Sequence, residues 1–221
     1  MAVVIKTIKP IISDCDDFIK EFITKSLECF KDELQLYINK NNDPVVLDYS
    51  NERTLASMFV NGLIRKDNDV TALQEYATQL LEIEKNGRPD IFINYQQNAI
   101  WIETKIDKSY KIDKKNHWDI ESWLLWDYGF AFKQVEKYFD SEKSHLNDCF
   151  TEGNYIMTLV FKLIEEKPEE HFKSAEDNLK NKVNNIFDRK WYYSSFFIEN
   201  DLGKGTFKGI ELYGTFCKKE R

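Results

Sequence analysis

The chain has 221 residues, of which 42% are hydrophobic and 31% are charged, and its formal net charge is −7. This length predicts one large domain spanning residues 1–221, and the apolar content excludes an intrinsically disordered chain. The acidic balance argues against a protein that coats nucleic acid without specificity, because that affinity comes mainly from Lys and Arg on phosphates.

The N-terminal residues do not resemble a leader peptide, because Lys6 and Lys9 interrupt the first apolar run. No apolar run approaches the ~20 residues that a membrane-spanning helix requires. The four cysteines, at positions 15, 29, 149 and 217, form no CxxC pair, which favours reduced thiols over disulfides or zinc ligands. We therefore expect a cytoplasmic protein without a membrane partner.

Two helices are predicted first along the chain. Residues 14–39 carry apolar side chains three to four positions apart behind a polar cap, which indicates a long amphipathic helix. Pro44 breaks this pattern, and a second helix is predicted to begin near Ser50 or Asn51 and to reach about Gly62 or a little beyond.

The later elements alternate between strands and helices. The predictions are an extended segment at 72–84, a hairpin at 90–95 and 99–106 around a polar turn at 96–98, a lysine-rich loop at 107–120, a helix from 123 to about 140, a strand at 156–164, a helix from 168 to about 187, and strands at 191–199 and 207–216. Together these elements predict an α/β fold with a mixed sheet and flanking helices. A core at about 50–164 is extended by an N-terminal helical segment, 1–49, and a C-terminal helix with strands, 165–221.

The hairpin carries charged residues where an apolar surface is expected. Side chains alternate along a strand, so Glu103 and Lys105 share one face with Trp101. If the hairpin pairs across its polar turn, Asp90 lies on the neighbouring strand near the level of Lys105. Burying such a cluster is costly unless its charges are paired or hold a cation.

Two interpretations of this cluster follow. Carboxylate oxygens are the ligands that Mg²⁺ or Mn²⁺ prefers, and such a metal can activate water against a phosphodiester. Lys105 would then orient or help deprotonate the attacking water, or neutralise the phosphate. The alternative is an exposed sheet face with a cross-strand ion pair.

Glu52 lies in the apolar stripe of the second helix and is predicted to point towards the core. An acid in the first turn can simply complement the helix dipole. Beside a metal site on the adjoining sheet, however, Glu52 becomes an extra ligand, either directly or through water.

The sequence Pro89-Asp90, followed by Glu103-Thr104-Lys105, resembles the PD-(D/E)XK nuclease superfamily. The resemblance covers roughly residues 50–164 and includes the predicted order helix, three strands, helix, strand. It implies a restriction endonuclease-like mixed-sheet core (αβββαβ). It also implies Mg²⁺-dependent or Mn²⁺-dependent hydrolysis of phosphodiesters, with Asp90, Glu103 and Glu52 as metal ligands and Lys105 as the catalytic lysine.

A second motif, Gln134 to Tyr138, is similar to the QxxxY motif of the RecB-like branch of that superfamily. The two residues are one helical turn apart and share a face, and in that branch they are associated with the active site and nucleic acid. The alternative is an amphipathic helix whose Tyr138 packs in the core.

Basic segments complete the prediction of a nucleic-acid partner, with DNA favoured. One is the loop that carries the following lysines: Lys108, Lys111, Lys114 and Lys115. The other is the tail, 203–221. A homodimer or a larger defence or repair complex is also expected. The alternatives are a non-catalytic binding module on the nuclease fold and a hydrolase of RNA or another phosphodiester.

Overall fold

The computed structural model of the protein describes residues 4–41, 50–74, 89–107, 131–136, 153–164, 190–198 and 209–219. The main described elements are β1 (Ile5–Ile12), α1 (Asp17–Asn41), α2 (Glu52–Lys66), β2 (Val70–Gln74), β3 (Ile91–Tyr95), β4 (Asn98–Asp107), β5 (Gly153–Ile164), β6 (Lys190–Ile198) and β7 (Gly209–Lys219). They form a mixed α/β fold, as the sequence predicts. None of the described helices is long and apolar enough to cross a bilayer.

The seven described strands form one open sheet in the order β1-β6-β7-β5-β4-β3-β2. Neighbouring strands are antiparallel except for β4 and β5, which are parallel. A parallel pair requires a crossover connection, which is usually helical. Residues 131–136, in the connection between these two strands, are helical.

The main core lies between one face of the sheet and helices α1 and α2. Phe30 of α1 joins its layers, because its ring contacts those of Phe59, Phe161 and Phe196 at centroid distances of 6.5, 5.7 and 5.6 Å. Aromatic contacts of this kind stabilise a core beyond the area that they bury. The helices and the sheet are therefore fixed to one another by the packing of apolar side chains.

A smaller apolar cluster lies on the opposite face of the sheet. Trp101 of β4 and Phe92 of β3 meet there edge to face, with ring centroids 4.8 Å apart. Phe132 and Val135, from the helical residues 131–136, pack in the same cluster. Strand β4 is consequently buried on both faces.

Most of the predicted elements are confirmed where the structure describes them. This holds for the helix at 14–39, the second helix, the hairpin and the strands at 156–164, 191–199 and 207–216. Helix α2 begins as predicted, because Asn51 Oδ1 accepts the backbone N–H of Thr54 at 2.9 Å. The remaining predicted parts, at 75–84, 108–130, 137–140, 168–187, 199 and 207–208, lie outside the described residues.

Two local predictions are wrong. The N-terminal extension is not wholly helical, since β1 is an edge strand that pairs with β6. The register of this pair shifts between Ile8 and Ile11, around Pro10, and proline is tolerated in a strand at such edges and bulges. The hairpin turn also has two residues rather than three: Gln96 and Gln97 adopt φ values of 48° and 60°, and Asn98 already belongs to β4.

Candidate active site

The charged residues meet beside the start of β3, where β4 continues past the last rung of the hairpin. Ile91 pairs with Ile102 in the first rung of the hairpin, so Asp90 lies just beyond the ladder, opposite Glu103. Asp90 Oδ2 accepts the backbone N–H of Thr104 at 2.8 Å, so the carboxylate takes the place of the ladder partner that β3 no longer provides. Asp90 thus contacts Thr104, next to Lys105, and interacts electrostatically with both Glu103 and Lys105, near the level predicted for it.

Glu103 and Lys105 lie on the same side of β4, as alternation predicts. Lys105 Nζ donates to Glu103 Oε1 at 2.6 Å. Glu103 is 1% exposed, and its Oε2 is buried without a hydrogen-bond partner among the described residues. The predicted alternative of an exposed cross-strand pair does not describe this arrangement, because the carboxylate is inside the protein.

Burial and the neighbouring Asp90 raise the pKa of Glu103 to about 7, although the hydrogen bond from Lys105 opposes that shift. Burial lowers the pKa of Lys105, but the hydrogen bond to Glu103 and the surrounding carboxylates outweigh burial and raise it. Lys105 is therefore a stable ammonium group near neutral pH. Glu103, by contrast, is close to the point at which it gains or loses a proton.

Glu52 approaches the same strand from the other face of the sheet. It is the first residue of α2 and is half-buried, and its Oε1 lies 3.4 Å from the hydroxyl of Thr104. Burial raises the pKa of Glu52 above its usual value. The charge of Lys105 and a hydrogen bond from the backbone N–H of Ile106 oppose this shift without cancelling it. Asp90, at the edge of β3, lies between Glu52 on one face and Glu103 on the other.

A cleft of about 540 Å³ opens beside this edge, between α2, the end of β2 and the start of β3. Its described lining consists of Glu52, Arg53, Ala56, Ser57, Gln74, Asp90 and Thr104. Ser57 Oγ donates to Gln74 Oε1 at 3.1 Å across it. The cleft therefore offers two carboxylates, one guanidinium group and several neutral polar groups to a ligand.

The four carboxylate and lysine residues of the predicted site are thus neighbours, but the described residues do not form a ready metal cluster. No group of three or more His, Cys, Asp or Glu side chains among them is arranged to hold a metal ion. Asp90 and Glu52 instead share Thr104, while Glu103 is paired with Lys105.

The other predicted site residues do not join this cluster within the described part of the chain. Gln134 is half-buried on the helical residues 131–136, next to Val135 of the smaller cluster. Tyr138 lies outside the described residues, and so do the four lysines of the loop: Lys108, Lys111, Lys114 and Lys115. Their roles stay predictions.

Thr104 is the residue that sequence reasoning missed. It shares the face of Ile100 and Ile102, which pack beneath the helices, and it is only 1% exposed. The sequence does carry a signal for it, since Thr104 places a hydroxyl on an otherwise apolar face of the strand. A buried hydroxyl requires a hydrogen-bond partner, which points to a polar neighbour.

No family model, curated protein or solved structure matches this chain.

Proposed function

We propose that the protein is a metal-dependent nuclease of the PD-(D/E)XK type that hydrolyses phosphodiester bonds, with DNA as its preferred substrate. The observation that carries the proposal is the buried Glu103, whose Oε2 has no hydrogen-bond partner among the described residues, beside Asp90 and Lys105. The order of the described elements supports it: α2, then three antiparallel strands, then helical residues 131–136, then β5 parallel to β4. This is the order expected of a restriction endonuclease-like core.

The carboxylate donors suit a hard divalent cation by their chemistry, although no three acidic side chains among the described residues are yet arranged around one point. A buried carboxylate needs a compensating charge and hydrogen bonds for both oxygens. Lys105 supplies the charge at Oε1 of Glu103, but Oε2 has no hydrogen-bond partner among the described residues. Asp90 and Glu103 would hold Mg²⁺ or Mn²⁺, with Glu52 as a further ligand, directly or through water. When bound, such a cation lowers the pKa of a coordinated water and stabilises negative charge on the phosphate.

The protein's own groups supply the remaining steps. Glu103 must release its proton to bind a cation, which its pKa of about 7 allows near neutral pH. Lys105 remains charged, and its ammonium group orients the attacking water or neutralises the phosphate. The cleft beside Glu52 and Asp90 admits the substrate strand, and Arg53 on its wall offers a fork of donors to phosphate oxygens.

A cleavage assay tests this proposal. Linear, circular and single-stranded DNA are incubated with Mg²⁺, Mn²⁺ or EDTA and with the wild type, Asp90→Ala, Lys105→Ala or the control Lys66→Ala, whose side chain is exposed at the far end of α2. We expect metal-dependent cleavage by the wild type and the control, and a loss of at least 100-fold in the two site variants. Cleavage that is undiminished in both site variants would refute the proposed site.

A non-catalytic binding module on the same fold is the second candidate. It is favoured by the lack of a three-carboxylate metal cluster among the described residues and by the pairing of Lys105 with Glu103. Such a module would bind DNA equally well with Mg²⁺ and with EDTA and would cut none of the substrates. A wild type that cuts only RNA or another phosphodiester would instead support a hydrolase of a different substrate.

A further inference from the structure

Thr104 makes three contacts with two acidic residues, Asp90 just before β3 and Glu52 at the start of α2. Its backbone N–H donates to Asp90 Oδ2 at 2.8 Å, and its hydroxyl lies 3.0 Å from the same oxygen. The hydroxyl is also 3.4 Å from Glu52 Oε1. One buried side chain therefore connects an acid on β3 to an acid on α2.

These contacts fix the orientation of Asp90. A threonine hydroxyl has one proton, and the shorter contact indicates that this proton is directed mainly at Asp90. Both donors fall on Oδ2, so Oδ1 is the oxygen of Asp90 that the described residues leave for another partner. A carboxylate held in this way does not have to reorient when a ligand binds.

The same hydroxyl also brings two like charges together. Asp90 Oδ2 and Glu52 Oε1 lie 3.0 and 3.4 Å from this one hydroxyl, and two carboxylates so close together repel each other. The single proton of the hydroxyl lies between the two anions and offsets part of this repulsion. Without that proton, the electrostatic energy of the two carboxylates would fall if they moved apart. The backbone N–H of Ile106 holds Glu52 from the other side.

From this geometry we propose that Thr104 is a positioning residue, whose hydroxyl holds Asp90 and Glu52 in the arrangement that binds the cation. The part of this inference that concerns a cation rests on the proposed function. Groups that orient metal ligands typically contribute about 10- to 100-fold to metal affinity. Because Thr104 is only 1% exposed, its hydroxyl acts through the two carboxylates.

Three variants isolate the hydroxyl. Thr104→Val keeps the β-branched shape and the backbone N–H and removes only the hydroxyl group, whereas Thr104→Ser restores it. The control is Ser26→Ala, which removes another buried hydroxyl, one that donates to Phe22 O within α1. Each protein is titrated with Mn²⁺ in a calorimeter, and crystal structures of the metal-free wild type and Thr104→Val are compared.

We expect Thr104→Val to bind Mn²⁺ about 10- to 100-fold more weakly than the wild type, and Thr104→Ser and Ser26→Ala to bind within a few-fold of it. In the metal-free crystals we expect the carboxylates of Asp90 and Glu52 to separate in Thr104→Val. Unchanged Mn²⁺ affinity in Thr104→Val would overturn the proposal.

The crystal structures separate this proposal from the proposed function. If the wild type binds no Mn²⁺, the metal centre is wrong, and the positions of the two carboxylates still decide the role of the hydroxyl. Carboxylates that stay in place in Thr104→Val would then refute it, and carboxylates that move apart would support it.

Discussion

Replacing Glu103 with Gln is expected to change how the stability of the protein depends on pH. The pKa of this carboxyl rises from its usual 4.5 to about 7, because burial and Asp90 disfavour the charged form. The folded protein therefore holds a proton that the unfolded chain releases between these two pH values. Glutamine has nearly the same shape but cannot ionise, so the variant lacks this contribution.

The sign and the size follow from proton linkage. The protonated carboxyl stabilises the fold fully below pH 4.5, and the stabilisation is lost as the pH rises through about 7. A shift of this size corresponds to about 3 kcal/mol, at roughly 1.4 kcal/mol per pH unit. Most of this change, about 2–3 kcal/mol, falls between pH 5 and pH 8. Because Glu103 is 1% exposed, solvent screening removes little of it.

Urea denaturation of the wild type and Glu103→Gln, with EDTA present, measures the effect. We expect the free energy of unfolding of the wild type to fall by about 2–3 kcal/mol relative to the variant between pH 5 and pH 8, with equal m-values. If the two free energies run parallel across this range, Glu103 does not have a raised pKa in the folded protein, and the electrostatic description of the site is wrong.

Two further predictions concern the neighbouring helix. Gly62→Ala is expected to lower the free energy of unfolding by about 1–2 kcal/mol, because a Cβ there would lie 2.5 Å from the backbone oxygen of Cys29 and this clash outweighs the better helix propensity of alanine. The control Asn61→Ala, at the exposed neighbouring position, should be neutral or stabilising in the same denaturation assay. Equal stability of the two variants would contradict the close approach of α1 and α2. Arg53→Gln is expected to raise the KM for DNA about tenfold with little change in kcat and to reduce the salt dependence of binding by about one charge, since its side chain lines the cleft. An identical effect of Lys66→Gln, at the opposite end of α2, would show that only net charge matters.

Part of the site follows from the sequence because it depends on local backbone geometry. The period of two along a strand places Glu103 and Lys105 on the same side, and the structure brings Lys105 Nζ to within 2.6 Å of Glu103 Oε1. The start of α2 follows in the same way, since an Asn cap satisfies backbone N–H groups one turn away.

Other parts do not follow from local pattern. Strand β1 is joined to β6 near the other end of the chain, with Ile5 paired to Ile198. The lysines and Pro10 of β1 interrupt the alternation of polar and apolar residues that would predict a strand. Its place in the sheet comes from pairing with β6. The position of Asp90 along β4 likewise depends on the register of the hairpin. That register is set by a turn of two residues rather than the predicted three.

The sequence by itself therefore determined the helices, the hairpin and the side of β4 on which Glu103 and Lys105 lie, because these depend on residues close together in the chain. Only the tertiary structure decided that Asp90 lies opposite Glu103, that Thr104 connects it to Glu52, and that the pKa of Glu103 is about 7. The physical reason is that desolvation and Coulombic repulsion depend on distances through space between α2, β3 and β4, which are set by packing rather than by local sequence.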